Sequence, residues 1–278
     1  MKNKVIFVLV DALGFDVATK HFGLMEHLTE AKKCAKYKMK GELPSISRPM
    51  YETLMTGLPV WKHGILSNEI VRPSAFENLF SITKAAGKVN AVAGYMWMLE
   101  LYGAIGRRFD LSKDRFCLNG SGDIMHGIFY QSDFYRDDHL FSDADFLMES
   151  YQPDFLLIHP MGVDEFGHMH GSDSKEYSAY AAMNCDLIAQ RFTRWTELGY
   201  QIVVTGDHGM DPLGLHEGNE PIQRDVPLYI VSDRVEGGDF TADPGVTSLC
   251  CAPLTLELLG LPRGKDMIEP NMIRGLLR

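Results

Sequence analysis

The chain has 278 residues, 45% of them hydrophobic, and a formal net charge of −10. This length suits one α/β core with an insertion better than two large domains. The negative charge argues against an electrostatic nucleic-acid binder or a polybasic membrane anchor, and no stretch approaches the roughly 18 apolar residues of a membrane span.

In chain order, the first run is Val5–Val10, which stops at Asp11 without a small-residue cleavage site. It reads as a buried strand and not as a secretion signal. Cys34, Cys117, Cys185, Cys250 and Cys251 are odd in number and show no C-x-x-C spacing, which points to reduced thiols and a cytoplasmic location. In ELPSISRPMYETLMTG, Ser47 precedes Arg48-Pro49 and a helical stretch ending near Gly57. A hydroxyl there reads as a helix cap or as a nucleophile facing an anion held by the helix N-terminus.

Further β-branched runs at Val89–Ala93, Phe155–Ile158, Ile202–Thr205 and Leu228–Val231 predict strands. Tyr177–Leu198 predicts a helix with Tyr177, Tyr180, Ala181, Ile188, Phe192 and Trp195 near one face, and a second helix starts at Pro253. Strands alternating with helices predict a mostly parallel sheet flanked by helices on both faces. Residues from about 95 to 150 are rich in aromatic and charged side chains and lack a clear strand. They read as an insertion or lid on a single catalytic domain spanning residues 1–278, or as an ordinary helical hairpin.

Ligands in open α/β sheets bind beyond the carboxyl ends of the strands. Asp11 follows VIFVLV there, and Asp207 and His208 follow IVVTG. After FLLIH comes PMGVDEFGHMHG, in which Asp164 and His168 are four residues apart and share one face of a helical turn. His216 lies in the Gly-rich segment LGLHEG. Each has a plainer reading: a helix cap for Asp11, a surface hydrogen bond for the Asp164/His168 pair, solvent or a supporting position for His170. Together, three carboxylates and three imidazoles at strand ends suit one or two divalent ions with mixed N/O ligation, zinc or manganese.

This combination resembles the alkaline phosphatase superfamily, and within it the nucleotide pyrophosphatase/phosphodiesterase branch. The motifs are VLVDALG, Ser47-Arg48-Pro49 leading to LMTG, KHGILSN, DEFGHMHG, TGDHGM, LHEG before DVPLYI, and CCAPLTLELLGLP. The resemblance implies an alkaline-phosphatase-like core and two divalent metal ions, zinc as the better fit and manganese as the other. Asp164, His168 and His216 would hold one ion. Asp11, Asp207 and His208 would hold the second, together with the Ser47 oxygen. Ser47 would be the nucleophile, and Asn68 would contact a phosphoryl oxygen. The branch usually has Thr at the nucleophile and an aromatic after it, where this chain has Ser47 and Arg48.

The implied reaction is hydrolysis of a small anionic phosphoester through a phosphoseryl intermediate, of phosphodiesterase or nucleotide pyrophosphatase type, with no nucleic-acid polymer or membrane as partner. Metal coordination favours the serine alkoxide, and paired ions clamp both ends of an in-line displacement. Arg48 is expected to bind an anionic group of the substrate, the plainer alternative being a solvent-facing side chain in the first helical turn. A phosphomonoesterase or phosphonate hydrolase of the same superfamily is the nearest alternative. The C/S-x-P-S-R pattern of sulfatases is absent around Ser47, and a mutase would carry a larger insertion. A non-catalytic metal-binding protein would lack ligands, and all six are in place.

Overall fold

The computed structural model describes residues 2–273 and 275–276. Among them, β1 (Lys4–Leu9), β2 (Ala35–Lys40), β3 (Asn90–Tyr95), β4 (Phe116–Leu118), β5 (His126–Tyr130), β6 (Phe155–Ile158), β7 (Tyr200–Thr205), β8 (Asp225–Val231) and β9 (Gly238–Asp239) form one sheet. Their order is β4-β5-β3-β6-β1-β7-β8-β2-β9. From β5 to β7 every neighbouring pair is parallel. By contrast, β8 is antiparallel to both β7 and β2, and β4 to β5. The sheet is therefore mixed, with a parallel centre at which β1 is flanked by β6 and β7.

The period of two along each strand divides the apolar side chains between two cores. Val5, Phe7 and Leu9 face one core with the helices Ser47–Thr56, Leu79–Ala85, Met96–Tyr102 and Cys251–Leu258. Ile6, Val8 and Val10 face the other, under Phe15–His21, Gly23–Glu30, Asp137–Tyr151 and Lys175–Glu197. β1 is thus buried on both faces, which is why it reads as an unbroken apolar run. The predicted helix at 177–198 is Lys175–Glu197. It buries Tyr177, Ala181, Ile188 and Trp195, while Tyr180 and Phe192 are only partly covered.

Residues 95–150, read as an insertion or lid, supply a strand to the sheet and a helix to the second core. β5 pairs with β3 from Ala91↔His126 to Tyr95↔Tyr130, and the helix Asp137–Tyr151 buries Leu140, Phe141 and Leu147 in the second core. The strand is hard to see because it opens on His126-Gly127, poor β-formers. β2 escapes for a different reason. In AKYKMK, lysines alternate with Ala35, Tyr37 and Met39, which are fully buried. Lys36 is itself buried against Glu26 at 2.8 Å, so that charge sits inside the fold and not on its surface.

Candidate metal centre

The parallel centre brings three loops together at one sheet edge. Asp11 follows β1, His159 follows β6, and Asp207 and His208 follow β7. The β1 and β7 loops touch: the Ala12 amide donates to Asp207 Oδ1 at 3.1 Å. Their closeness requires glycine. A Cβ on Gly206 would lie 2.5 Å from the Leu13 carbonyl oxygen of the β1 loop, and one on Gly209 would lie 2.1 Å from the Ile222 carbonyl oxygen of the segment before β8. The helix Gly162–His170 carries Asp164 and His168 on one face, and the loop before β8 brings His216.

Two groups of ligand atoms result, Asp11–Asp207–His208 and Asp164–His208–His216, each with its atoms within 4.8 Å of one another. His208 Nε2 lies 3.4 Å from Asp11 Oδ1 and 3.3 Å from Asp207 Oδ2. Its ring stacks on that of His216 with centroids 3.7 Å apart. His216 Nε2 is 3.9 Å from Asp164 Oδ1, and His168 Nε2 is 3.5 Å from Asp164 Oδ2. His168 stands outside the compact groups and is the most exposed of the six, at 42% of its side chain. His170 is exposed and stacks on Phe166.

All of the six side chains but Asp164 have one atom anchored by a hydrogen bond and another turned toward the cluster. His168 Nδ1 pairs with the Gly214 carbonyl at 2.8 Å, His208 Nδ1 with that of Gly209 at 3.0 Å, and His216 Nδ1 with that of Ser45 at 2.8 Å. A carbonyl only accepts, so each Nδ1 carries the proton and each Nε2 presents a lone pair, the tautomer a metal requires. Asp11 Oδ1, Asp164 Oδ1 and Asp207 Oδ2 are buried with no hydrogen-bond partner. Three orphaned carboxylate oxygens beside three imidazole lone pairs leave a concentration of negative potential that cations satisfy. The residues fit divalent ions with N/O ligation.

Electrostatics agree. Burial, then the charge of Asp11, pushes the Asp164 and Asp207 carboxyls well above the carboxylate range. Burial, then neighbouring His216, pushes His208 down to about 3, and burial also lowers His216. Both imidazoles are therefore neutral near pH 7. Burial works to raise Asp11 as well. However, the hydrogen bonds donated by His159 and the Tyr51 hydroxyl hold the group low.

Ser47 opens the helix Ser47–Thr56 as its first residue. The cap position belongs to Ile46, which makes no side-chain cap bond. The Ser47 hydroxyl instead meets His208 Nε2 at 3.2 Å. A Ser-His-Asp triad would place a carboxylate at Nδ1 of that histidine. A backbone carbonyl stands there, so the pair does not form a triad. Asn68 accepts from the Arg48 amide at 2.9 Å through Oδ1. Pro49 has no N–H, so with the Arg48 amide taken the helix start offers an anion only the Ser47 amide.

Arg48 requires a correction. It is fully buried and does not face solvent. Its guanidinium pairs with Glu100 at 2.5 Å, donates to the Ile70 carbonyl at 3.2 Å and stacks under Trp97 at 4.7 Å. Glu100 also accepts the Phe109 amide at 2.7 Å, so the pair ties the helix Ser47–Thr56 to residues 100–109. Glu100→Ala should destabilise the fold by about 3–5 kcal/mol by leaving a buried cation unpaired. Urea denaturation of the variant measures this, and a loss below about 1 kcal/mol would show the pair to be dispensable.

Two supports of the site are not evident from motif reading: Tyr51 and His159, both bonded to Asp11. Asp137 is a third. Its carboxylate accepts from the Gly162 amide at 3.3 Å and from Asn184 at 2.8 Å, holding the start of the Asp164 helix. Burial pushes Asp137 up to about 6 from an ordinary 3.8. The folded chain therefore keeps a proton there that the unfolded chain loses at lower pH. That contribution is full below pH 3.8 and vanishes as pH rises through about 6. It amounts to something on the order of 3 kcal/mol. Asp137→Asn should remove that part of the fall in stability between about pH 4.5 and about pH 7. Equal falls in wild type and variant on urea denaturation would contradict the assignment.

Comparisons with known proteins point the same way. A model of the type I phosphodiesterase / nucleotide pyrophosphatase family matches residues 5–233. The human GPI ethanolamine phosphate transferase 2 catalytic subunit is 25% identical over 281 residues, covering 96% of this chain and 27% of that protein. This chain spans about a quarter of the length of such relatives. Among solved structures, human ectonucleotide pyrophosphatase / phosphodiesterase 5 superposes with a TM-score of 0.72 at 12% identity, covering 98% of this chain and 100% of that one. Phosphonoacetate hydrolase from Sinorhizobium meliloti 1021 in complex with phosphonoformate gives 0.54 at 20% identity, with 74% and 56% covered. These two likenesses are of fold. Among the described residues, no helix is long and apolar enough to cross a membrane.

Proposed function

Because this chain belongs to the type I phosphodiesterase / nucleotide pyrophosphatase family, we propose that it is a metal-dependent phosphoesterase that cleaves a phosphodiester with Ser47 as nucleophile. The observation that carries this reading is the Ser47 hydroxyl at 3.2 Å from His208 Nε2, beside three buried carboxylate oxygens with no partner. Asp11, Asp207 and His208 would hold one divalent ion, and Asp164, His168 and His216 the other, with zinc or manganese as the candidates. Bound there, the ions supply Lewis acidity to the phosphoryl group and favour the ionised form of serine.

The chain's own residues do the rest. Ser47 attacks phosphorus in line, its oxygen bonding as the bond to the leaving alcohol oxygen breaks; the proton given up by the serine hydroxyl ends on that leaving oxygen, and a phosphoseryl diester remains. The Ser47 amide and the Asn68 side chain flank the nucleophile and donate to the phosphoryl oxygens. Water then attacks phosphorus and Ser47 leaves with the proton restored. A diester is favoured over a monoester by the position of Arg48. The cation that would meet a second phosphoryl charge is buried against Glu100.

A second reading keeps the same intermediate but passes it to an alcohol instead of water. The curated relatives favour it, since by name they transfer ethanolamine phosphate. The test is a panel of a diester, a monoester, a phosphonate and a sulfate ester with zinc or manganese, with and without an alcohol acceptor. Ser47-dependent turnover of the diester is expected to exceed that of the others. Failure on every phosphoester with both metals would overturn the proposal, and product carrying the added alcohol would favour transfer.

A further inference from the structure

Asp11 is the carboxylate at the middle of the sheet edge, and its two oxygens have different surroundings. Oδ1 has no hydrogen bond and faces His208. Oδ2 receives two donors, the Tyr51 hydroxyl in a short hydrogen bond and His159 Nε2 at 3.2 Å. His159 has a defined tautomer. Its Nδ1 accepts the Tyr95 amide at 3.4 Å, so the proton lies on Nε2 and points at Asp11.

Both donors are built in. His159 is fully buried; its amide donates to the Ala93 carbonyl at 2.9 Å, and its carbonyl accepts the Tyr130 hydroxyl at 2.7 Å. The Tyr51 ring, also fully buried, stands edge-on to the imidazole with centroids 4.7 Å apart. Tyr51 comes from the nucleophile helix and His159 from the end of β6, so two elements converge on one oxygen. Among the described residues, neither group hydrogen-bonds to Asp207 or Asp164.

We infer that Tyr51 and His159 are positioning residues that hold Asp11 as a one-oxygen metal ligand, keeping the ion at the Asp11–Asp207–His208 site at low coordination number. This rests on the reading of the site as a metal centre. A carboxylate free to rotate chelates with both oxygens when a cation has vacant positions; one whose second oxygen is held by two donors does not. The geometry selects ions content with few ligands over those that take six or more. It also links the seat of the nucleophile to the ligand, since Tyr51 lies on the turn after Ser47.

Cobalt(II) is the probe, because its visible absorption is strong in four-coordinate and weak in six-coordinate sites. The full chain is loaded with Co(II) as wild type, Tyr51→Phe, His159→Gln and His159→Ala. Absorption, Co(II) dissociation constants by chelator competition, and the melting temperature of metal-free protein are measured for each. Freeing Oδ2 should weaken one of two cobalt equivalents roughly 10- to 100-fold and lower its absorption. His159→Gln, which keeps an N–H donor, should recover part of both. Tyr51→Phe removes a single oxygen and carries the test if His159→Ala does not fold. Spectra and dissociation constants unchanged, with only the melting temperature shifted, would overturn the inference and leave the metal centre standing. A wild type that takes up no cobalt would overturn both.

Discussion

Ser47→Ala is expected to lower kcat for a diester substrate by roughly a thousandfold or more while the metal content of the protein stays unchanged. The size follows from its role. A group that forms and breaks the covalent bond cannot be replaced by tighter substrate binding, and only uncatalysed attack by water in a pre-formed site remains. The geometry separates this from a structural effect. Ser47 is not the helix cap, so the loss of about 1 kcal/mol that usually follows removal of a capping hydroxyl should not appear. What the hydroxyl does hold is a hydrogen bond with His208, and alanine removes it. Turnover, zinc per chain and urea denaturation should be read on the same preparation. Activity retained within about tenfold would reject Ser47 as nucleophile. Inactive protein that is also depleted of zinc would show that the ion depends on the Ser47 oxygen as a ligand.

What could be read from the residues and what could not divide along physical lines. Asp11, Asp207 and His208 were legible because strands buried on both faces read as apolar runs, and a polar residue at the end of such a run is conspicuous. The pairing of Asp164 with His168 was legible because helical periodicity alone puts both on one face. His159 sits at the end of β6 as Asp11 does at the end of β1, and the same rule applied to FLLIH would have singled it out. Tyr51 carries no such signal. On the helix sequence RPMYETL it reads as one more core aromatic, and only the tertiary approach of Asp11 gives it a role. Arg48 shows the converse. Beside a candidate nucleophile, an arginine suggests a substrate-binding role, but its partner Glu100 lies in another helix, and no local pattern announces a long-range ion pair. The missed strands follow the same logic, since lysines at alternate positions in β2 and a His-Gly start in β5 mask a periodicity that the sheet nonetheless uses.

In protein reconstituted with zinc, where the proposed site takes up two ions per chain, His208→Ala should leave about one, and His168→Ala should do the same at the other site. The argument begins with a shortage. Both compact ligand groups contain His208, but an imidazole whose Nδ1 is occupied by the Gly209 carbonyl has a single lone pair to give, at Nε2. His208 therefore serves one ion. Its distances of 3.4 Å to Asp11 and 3.3 Å to Asp207 assign it to their side. That leaves Asp164 and His216 with two protein ligands where a stable site takes three or four. His168 is the group within reach: its Nε2 is 3.5 Å from Asp164, its ring centroid is 5.0 Å from that of His216, and its Nδ1 is already fixed by Gly214. Being the more exposed of the two ligands, His168 should give up its ion to a chelator at a lower concentration than His208 does. Zinc per chain after passage over a desalting column, with and without chelator, reads all three expectations. Two ions retained by His208→Ala would show that Asp11 and Asp207 need no imidazole. Two ions retained by His168→Ala would return His168 to the plainer role of a surface partner of Asp164, and the second ion would then have to be held through a shared His208 that its tautomer does not allow.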